Sequence, residues 1–345
     1  MLSATGPRAH KHLFRLYPRA GRSGGSVVTV YVEDWQAAYG APYLVRPEDQ
    51  GAEQVELVED AGRLESHRPE IKPAFPIVFV DGVRRGEAAL YQHDSNTGAV
   101  ARGVAGSHAC GAVIATEKSI EFADMRVQRL VIWGSGLTGD LSDVTGGWSW
   151  DSKSIASTEP DAPLMELQER MRRAEGMLAE RMADTHGLTI ADGPLHYVRS
   201  RDLANPAAGY IKTHHRMLLR PEEHMRIPGL GAGERTSLFR LRNDRYSCYL
   251  RLVPSSGLSG PWAGIVRLEV PQSAGLKAAV ELCDRLTATL PRFAGIPHRD
   301  PRAPQNLQPI GALESHLRHL LGHPGLAFRA VRQAVSSGLT PQGVH

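Results

Sequence analysis

The sequence predicts an α/β domain built on a mixed sheet. Two apolar, β-branched runs each end in an Asp-Gly pair, FPIVFVDG at 75–82 and HGLTIADGPL at 186–195. Further strand signals follow the first run, and a long amphipathic helix lies directly before the second. Strand, strand, strand, helix, strand is therefore the expected order, with flanking helices and additional β segments around it.

Taken in order, residues 1–26 read as a basic arm ending in the turn-rich RSGGS, and 26–32 as a strand. Residues 46–74, charged and interrupted by prolines, read as an irregular exposed connection. The run 75–82 is the strongest buried-strand signal and is expected to stop at Asp81-Gly82. GEAALYQ (86–92) is expected as a second strand and GAVIAT (111–116) as a third. The polar turn HDSNTG lies between them, giving an antiparallel meander. Residues 119–160, rich in Gly, Trp and Ser, are expected as an insertion or an extra sheet.

The helix signal covers 161–184, with Asp161 as N-cap and Pro163 in the first turn. Strands are expected at 236–241, 246–253 and 264–270. Helices are expected at 275–290 and 310–321, with a last amphipathic segment at 327–335. The division is an N-terminal arm and extension over 1–70, a main domain over 71–325, and a C-terminal helix and tail over 326–345.

With 345 residues, 41% of them hydrophobic and 22% charged, the chain can bury a large core, and wholesale disorder is excluded. Lys plus Arg is 40 against Asp plus Glu 37, a net charge of +3 that neither demands nor excludes nucleic acid. The three cysteines, Cys110, Cys248 and Cys283, form no CxxC pair, which argues against a disulfide framework or a zinc ribbon and favours a reducing, cytoplasmic setting. No apolar run reaches the roughly 18 residues of a membrane span. The basic N-terminus has no apolar signal-peptide centre. GLGAGER (229–235) lacks the Lys-Ser/Thr of a phosphate-binding P-loop and reads as a mobile loop. SHACG reads as a tight turn rather than a metal site. Trp133, Trp148 and Trp150 are open to two readings, base stacking and core or dimer packing.

The acids carry the chemistry. With Met171 set at zero on a helix of 100° per residue, Leu164, Leu178 and Met182 fall within about 20° of it and Glu175 at about 40°. Glu166, Glu169 and Glu180 fall on the opposite face. Glu175 is thus the helix carboxylate aimed at the core, where it needs a partner such as Arg172 or a metal. Together with Asp81 and Asp192 it suits a hard, oxygen-preferring cation such as Mg²⁺ or Mn²⁺. Two such ions, about 3.5–4 Å apart, activate water and stabilise the leaving oxygen of a phosphodiester. A single Asp-Gly after a strand is ordinarily only a turn; the joint pattern is what raises it to a candidate site.

FVDGVRR (79–85), RRAE (172–175), TIADGPL (189–195) and GYIKTHHRMLL (209–219) resemble the NurA nucleases. RAPQNLQPIGALESHLRHLLG (302–322) resembles the bacterial branch of that family, and the likeness spans roughly 70–325. The resemblance implies an RNase H-like core and a homodimer. It also implies Mn²⁺-dependent exo- and endonuclease activity on single strands and duplex ends of DNA. The expected partner is a HerA-type hexameric ATPase in DNA-end resection for double-strand break repair. It makes Asp81, Glu175 and Asp192 the metal ligands. Where archaeal relatives place a Tyr and a His, this chain reads FAGIPHRDPRAPQNL, leaving His298 or Asn306 as the counterpart.

Between 193 and 220, Arg199, Arg201, Lys212, Arg216 and Arg220 face a single acid, Asp202. This segment is expected either to hold DNA phosphates or to be a solvated charged face. Lys212, after the apolar GYI, is the candidate to neutralise charge on phosphate. Two other functions fit the same residues: a non-catalytic DNA-binding adaptor of a motor ATPase, and a different RNase H-like phosphodiesterase. Metal-dependent cleavage separates the first from the nuclease, and a panel of substrates the second.

Overall fold

The computed structural model describes residues 28–32, 55–94, 98–195, 197–198, 205–214, 217–254, 260–296, 298–299 and 302–338. The strands are β1 (Val28–Val32), β2 (Glu56–Leu57), β3 (Ser66–His67), β4 (Ile77–Asp94), β5 (Val100–Ala115), β6 (Ile120–Trp133) and β7 (Asp151–Ser154). After helix α1 (Ala162–His186) come β8 (Leu188–Asp192), β9 (Ala208–Ile211) and the single-turn α2 (Pro221–His224). Strands β10 (Glu234–Thr236), β11 (Phe239–Leu241), β12 (Arg245–Arg251) and β13 (Ile265–Pro271) follow. Helices α3 (Leu276–Thr289), α4 (Gln308–Leu320) and α5 (Pro324–Gly338) close the chain. The expected α/β class, with a large mixed sheet and flanking helices, is what forms.

One sheet joins the strands in the order β2-β11-β12-β13-β9-β8-β4-β5-β6-β7, with β1 on β4, and with β10 on both β12 and β3. Its centre positions the site. β4 and β5 pair antiparallel, as do β5 and β6, while β8 lies parallel to the first half of β4 and β9 parallel to β8.

Several expectations are corrected here. The runs at 75–82 and 86–92 are one strand: β4 continues through Asp81-Gly82 and reaches Asp94, with a register shift between Gly86 and Ala88. At about 3.3 Å per residue, its 18 residues span roughly 60 Å. The Asp-Gly pair does not turn the chain because Asp81 and Gly82 stay paired with Gly111 and Cys110 of β5. Residues 120–133, expected within an insertion or an extra sheet, form β6 of the same sheet, and turns lie on both sides of the short β7.

The connection before β4 is not wholly exposed. It adds β2 and β3 to the sheet, and Leu64 is buried. SHACG lies within β5, where His108 and Cys110 are both buried. The 229–235 segment is not a simple loop, because it runs into β10. There buried Arg235 pairs with Glu59 and Asp284. Trp133 and Trp150 are core residues, while half-buried Trp148 lies under the Arg129 guanidinium.

The two faces of the sheet explain the alternation along β4. Ile77 and Phe79 pack with Leu282 and Leu286 of α3 and with Leu313 and Leu317 of α4. Val78 and Val80 point the other way, onto Leu178, Ala179, Met182 and Ala183 of α1. The far half of β4 (Ala88, Leu90) packs with Trp133 and with Val331 and Ala334 of α5. Helix α1 starts next to Asp161, as expected, but the Asp161 side chain makes no capping hydrogen bond. None of the described helices is long and apolar enough to cross a membrane.

Leu317 fixes α4 to the sheet and is fully buried. Leu317→Ala is expected to cost about 2–5 kcal/mol, the range for truncating a buried leucine. Urea unfolding checks this, and a loss below about 1 kcal/mol would show that α4 is not anchored there.

Candidate metal centre

The site begins with strand register. Val80 of β4 is level with Ala191 of β8, so the next residues, Asp81 and Asp192, lie side by side. Both follow the alternation onto the sheet face covered by α4. Glu314, on the underside of α4, meets them. Oxygen atoms of Asp81, Asp192 and Glu314 all lie within 4.8 Å of one another.

Glu175 arrives from the opposite face. It extends from α1 beside Gly82, where a β-carbon would stand 2.8 Å from Glu175 Oε1. The glycine in this Asp-Gly pair is therefore a clearance for a carboxylate rather than a turn residue. The Glu175 carboxyl lies against Gly82, next to Asp81 along β4. The Gly82 N–H donates to Asp81 Oδ1 at 2.7 Å. Buried residues of α1 such as Leu167, Leu178, Ala179 and Ala183 bracket Glu175 on the helical wheel, so the helix presents it from the middle of its covered face.

The cations are equally placed. Lys212 lies two residues beyond Tyr210, the register partner of Asp192. Its Nζ donates to Asp192 Oδ2 at 2.6 Å and to Asn306 Oδ1 at 2.9 Å. Asn306 is buried, and the adjacent Gln305 carbonyl accepts from the Tyr210 hydroxyl at 2.6 Å, which ties this loop to β9. Arg302 donates to both oxygens of Glu314 at 2.9 Å, and Arg318 adds a contact at 3.4 Å.

Burial and mutual repulsion dominate the electrostatics. Burial, then the charges of Asp192 and Glu175, hold the Asp81 carboxyl well above the ordinary range against the pull of Lys212. Burial and Asp192 push Glu175 up to about 8, opposed by Arg172. Burial also raises Asp192, although Lys212 works against it. Like charges this close oppose one another's ionisation, and Lys212 offsets that only in part. Asp81 Oδ2 and Asp192 Oδ1 are buried and accept no hydrogen bond among the described residues. Orphaned carboxylate oxygens are costly in a purely structural ion-pair network, and they fit a bound divalent cation.

The structure thus brings Asp81, Glu175, Asp192 and Lys212 together. His298 is exposed in a turn, and Asn306 rather than His298 reaches Lys212. Arg199, Arg201 and Arg216 lie outside the described residues. Arg220 is exposed at the start of α2 and pairs with Glu223. Sequence reasoning missed Glu314 and its holder Arg302. The signal was available: with Leu317 at zero, Ile310 and Leu313 fall at about 20° and −40°, and Glu314 at about 60°, at the edge of the apolar stripe. This is the same test that found Glu175.

No protein-family model and no curated protein matches the sequence. Among solved structures, the chain is similar to the NurA nuclease from Sulfolobus solfataricus. Identity is 12%, covering 80% of this chain and 87% of that one, with a TM-score of 0.45. It is also similar to the catalytic domain of human Endonuclease V, at 14% identity over 74% of this chain and 92% of that one, TM-score 0.33. A third likeness is to Ciona intestinalis Endonuclease V in complex with a 24mer DNA containing an inosine followed by a ribo-adenosine. There the identity is 10%, over 73% of this chain and 89% of that one, TM-score 0.30.

The raised carboxyls set a pH dependence for the metal-free protein. Unfolded, Glu175 loses its proton near 4.5; folded, near 8. The folded state therefore holds more protons between those values, and stability from this group is full below about pH 4.5 and lost as pH rises toward 8. In EDTA, wild type is expected to lose thermal stability from about pH 5.5 to 8. Glu175→Gln is expected to have a shallower profile and a higher Tm at pH 8. Superimposable profiles would show that Glu175 is not held protonated.

Proposed function

We propose that this protein is a divalent-metal-dependent deoxyribonuclease of the NurA type. The observation that carries the reading is the buried pair of orphaned oxygens, Asp81 Oδ2 and Asp192 Oδ1, in a cluster completed by Glu314 and flanked by Glu175. Four carboxyls with only oxygen donors suit Mg²⁺ or Mn²⁺ and not a soft metal. Asp81, Asp192 and Glu314 would hold the ion or ions, with Glu175 completing the shell. A cation bound there supplies Lewis acidity toward the phosphodiester and makes water a competent nucleophile near neutral pH.

The remaining chemistry belongs to the chain. Lys212 Nζ sits at the edge of the acids with its position fixed by Asp192 and Asn306, so it meets negative charge developing on phosphate without reorganisation. No nucleophilic side chain enters the reading, and hydrolysis proceeds by direct attack of water. Arg199, Arg201 and Arg216 add cations for phosphates downstream of Asp192. The motifs of the sequence support DNA as substrate. They also support a homodimer, Mn²⁺ as the working ion, a HerA-type ATPase as partner and end resection as the setting.

Asp81→Asn keeps the shape of the side chain and removes the charge. Mn²⁺-dependent degradation of single-stranded DNA is expected to fall by more than about 100-fold, since loss even of a group supporting a metal ligand costs about 10–100-fold. Calorimetry on the same variant is expected to show weakened Mn²⁺ binding. Wild-type rates in the variant would remove Asp81 from the site, and metal-independent rates in the wild type would remove the mechanism.

A further inference from the structure

A groove of about 630 Å³ opens beside the carboxylates, and its lining includes Arg299, Arg302, Arg318, Gln308, Asn306 and Glu314. Three guanidiniums share it with one carboxylate, so its sign is positive although it adjoins an acidic centre. The two share walls: Glu314 belongs to the metal cluster and to the groove, and Asn306 joins the groove to Lys212.

The arginines are poised rather than merely nearby. Arg302 is braced by its two bonds to Glu314 and still leaves 49% of its side chain exposed. Arg318, one helical turn beyond Glu314, is 60% exposed, and Arg299 is exposed as well. An exposed planar guanidinium such as that of Arg318 or Arg299 carries a fork of donors whose geometry matches phosphate. Gln308, the first residue of α4, also lines the groove, so the positive end of that helix opens onto it. Its volume lies within the ~300–1,000 Å³ of pockets that enclose one small ligand, which suits one or two nucleotides of a strand rather than the thickness of a duplex.

The geometry points to this groove as the seat of single-stranded DNA phosphates beside the bond that is cut, with Arg299 and Arg318 as their donors and Arg302 holding the Glu314 wall. The inference rests on the nuclease reading.

The test is fluorescence anisotropy with the full chain in EDTA, which prevents cleavage. The probe is a labelled oligothymidylate of about 12 nucleotides, within the span of known single-strand sites. Affinity is followed across a salt series. Arg302 is left intact, because removing it strands a buried Glu314 carboxylate. The Arg299→Ala, Arg318→Ala double variant alters exposed side chains only, and thermal melting confirms its fold. Its log K against log[salt] slope is expected to be shallower than wild type by about 1.4, about 0.7 for each lost phosphate contact. Affinity at low salt is expected to fall several-fold or more, and lysine at both positions should restore much of the slope. Arg68→Ala, an exposed arginine paired with Glu234, serves as the control and leaves the slope unchanged. Wild-type binding with an unchanged slope in the double variant would overturn the groove and leave the nuclease reading standing. No binding by wild type at any salt would likewise overturn the groove, while the nuclease reading stands or falls on Mn²⁺-dependent degradation.

Discussion

Everything at this site follows from forcing like charges together inside the protein. The parallel pairing of β4 with β8 sets Asp81 beside Asp192, and α4 lowers Glu314 onto them from one face of the sheet. The absent side chain of Gly82 admits Glu175 from the other. A sheet core flanked by packed helices is rigid enough to impose this arrangement, because moving any one acid away means moving a strand or a helix that carries its own buried apolar face. The cost is visible in the carboxyls of Asp81, Glu175 and Asp192, all held above their ordinary values.

The fold offsets this repulsion only in part. Lys212 neutralises Asp192, Arg302 grips Glu314, and the Gly82 N–H supports Asp81, yet one oxygen each of Asp81 and Asp192 is left without a partner among the described residues. The residual deficit is what a divalent cation would fill. Sites that hold such unfavourable contacts commonly trade stability for activity. The net charge of +3 conceals this separation, in which acids meet at the sheet and arginines rim the groove outside it.

Much of the architecture was legible in the sequence because its signals are periodic. The ends of two apolar, β-branched runs marked Asp81 and Asp192, and the 3.6-residue stripe of α1 marked Glu175 as the carboxylate that faces inward. What misled the reading was local. An Asp-Gly pair ordinarily ends a strand, but here both residues stay in the β4–β5 ladder, and Gly82 answers to a side chain about ninety positions away in the sequence. Glu314 carried the same angular signal as Glu175 on a helix not tested for it. Arg302 and Asn306 sit in an irregular segment, where no period marks the inward residues. Only the fold shows that Asn306 is buried against Lys212 while His298 is exposed.

The central claim is that these carboxylates form a divalent-cation site, and the position of a bound ion tests it most directly. Anomalous diffraction from crystals soaked in Mn²⁺ would locate that ion. The account requires density between Asp81 Oδ2 and Asp192 Oδ1, at about 2.0–2.3 Å from carboxylate oxygens, with Glu314 or Glu175 completing the shell. Glu59, Asp60 and His67 form a second group of possible ligands, already engaged with Arg235 and Ser237. Manganese found there alone, or a cluster at Asp81 that stays empty in saturating Mn²⁺, would contradict the account.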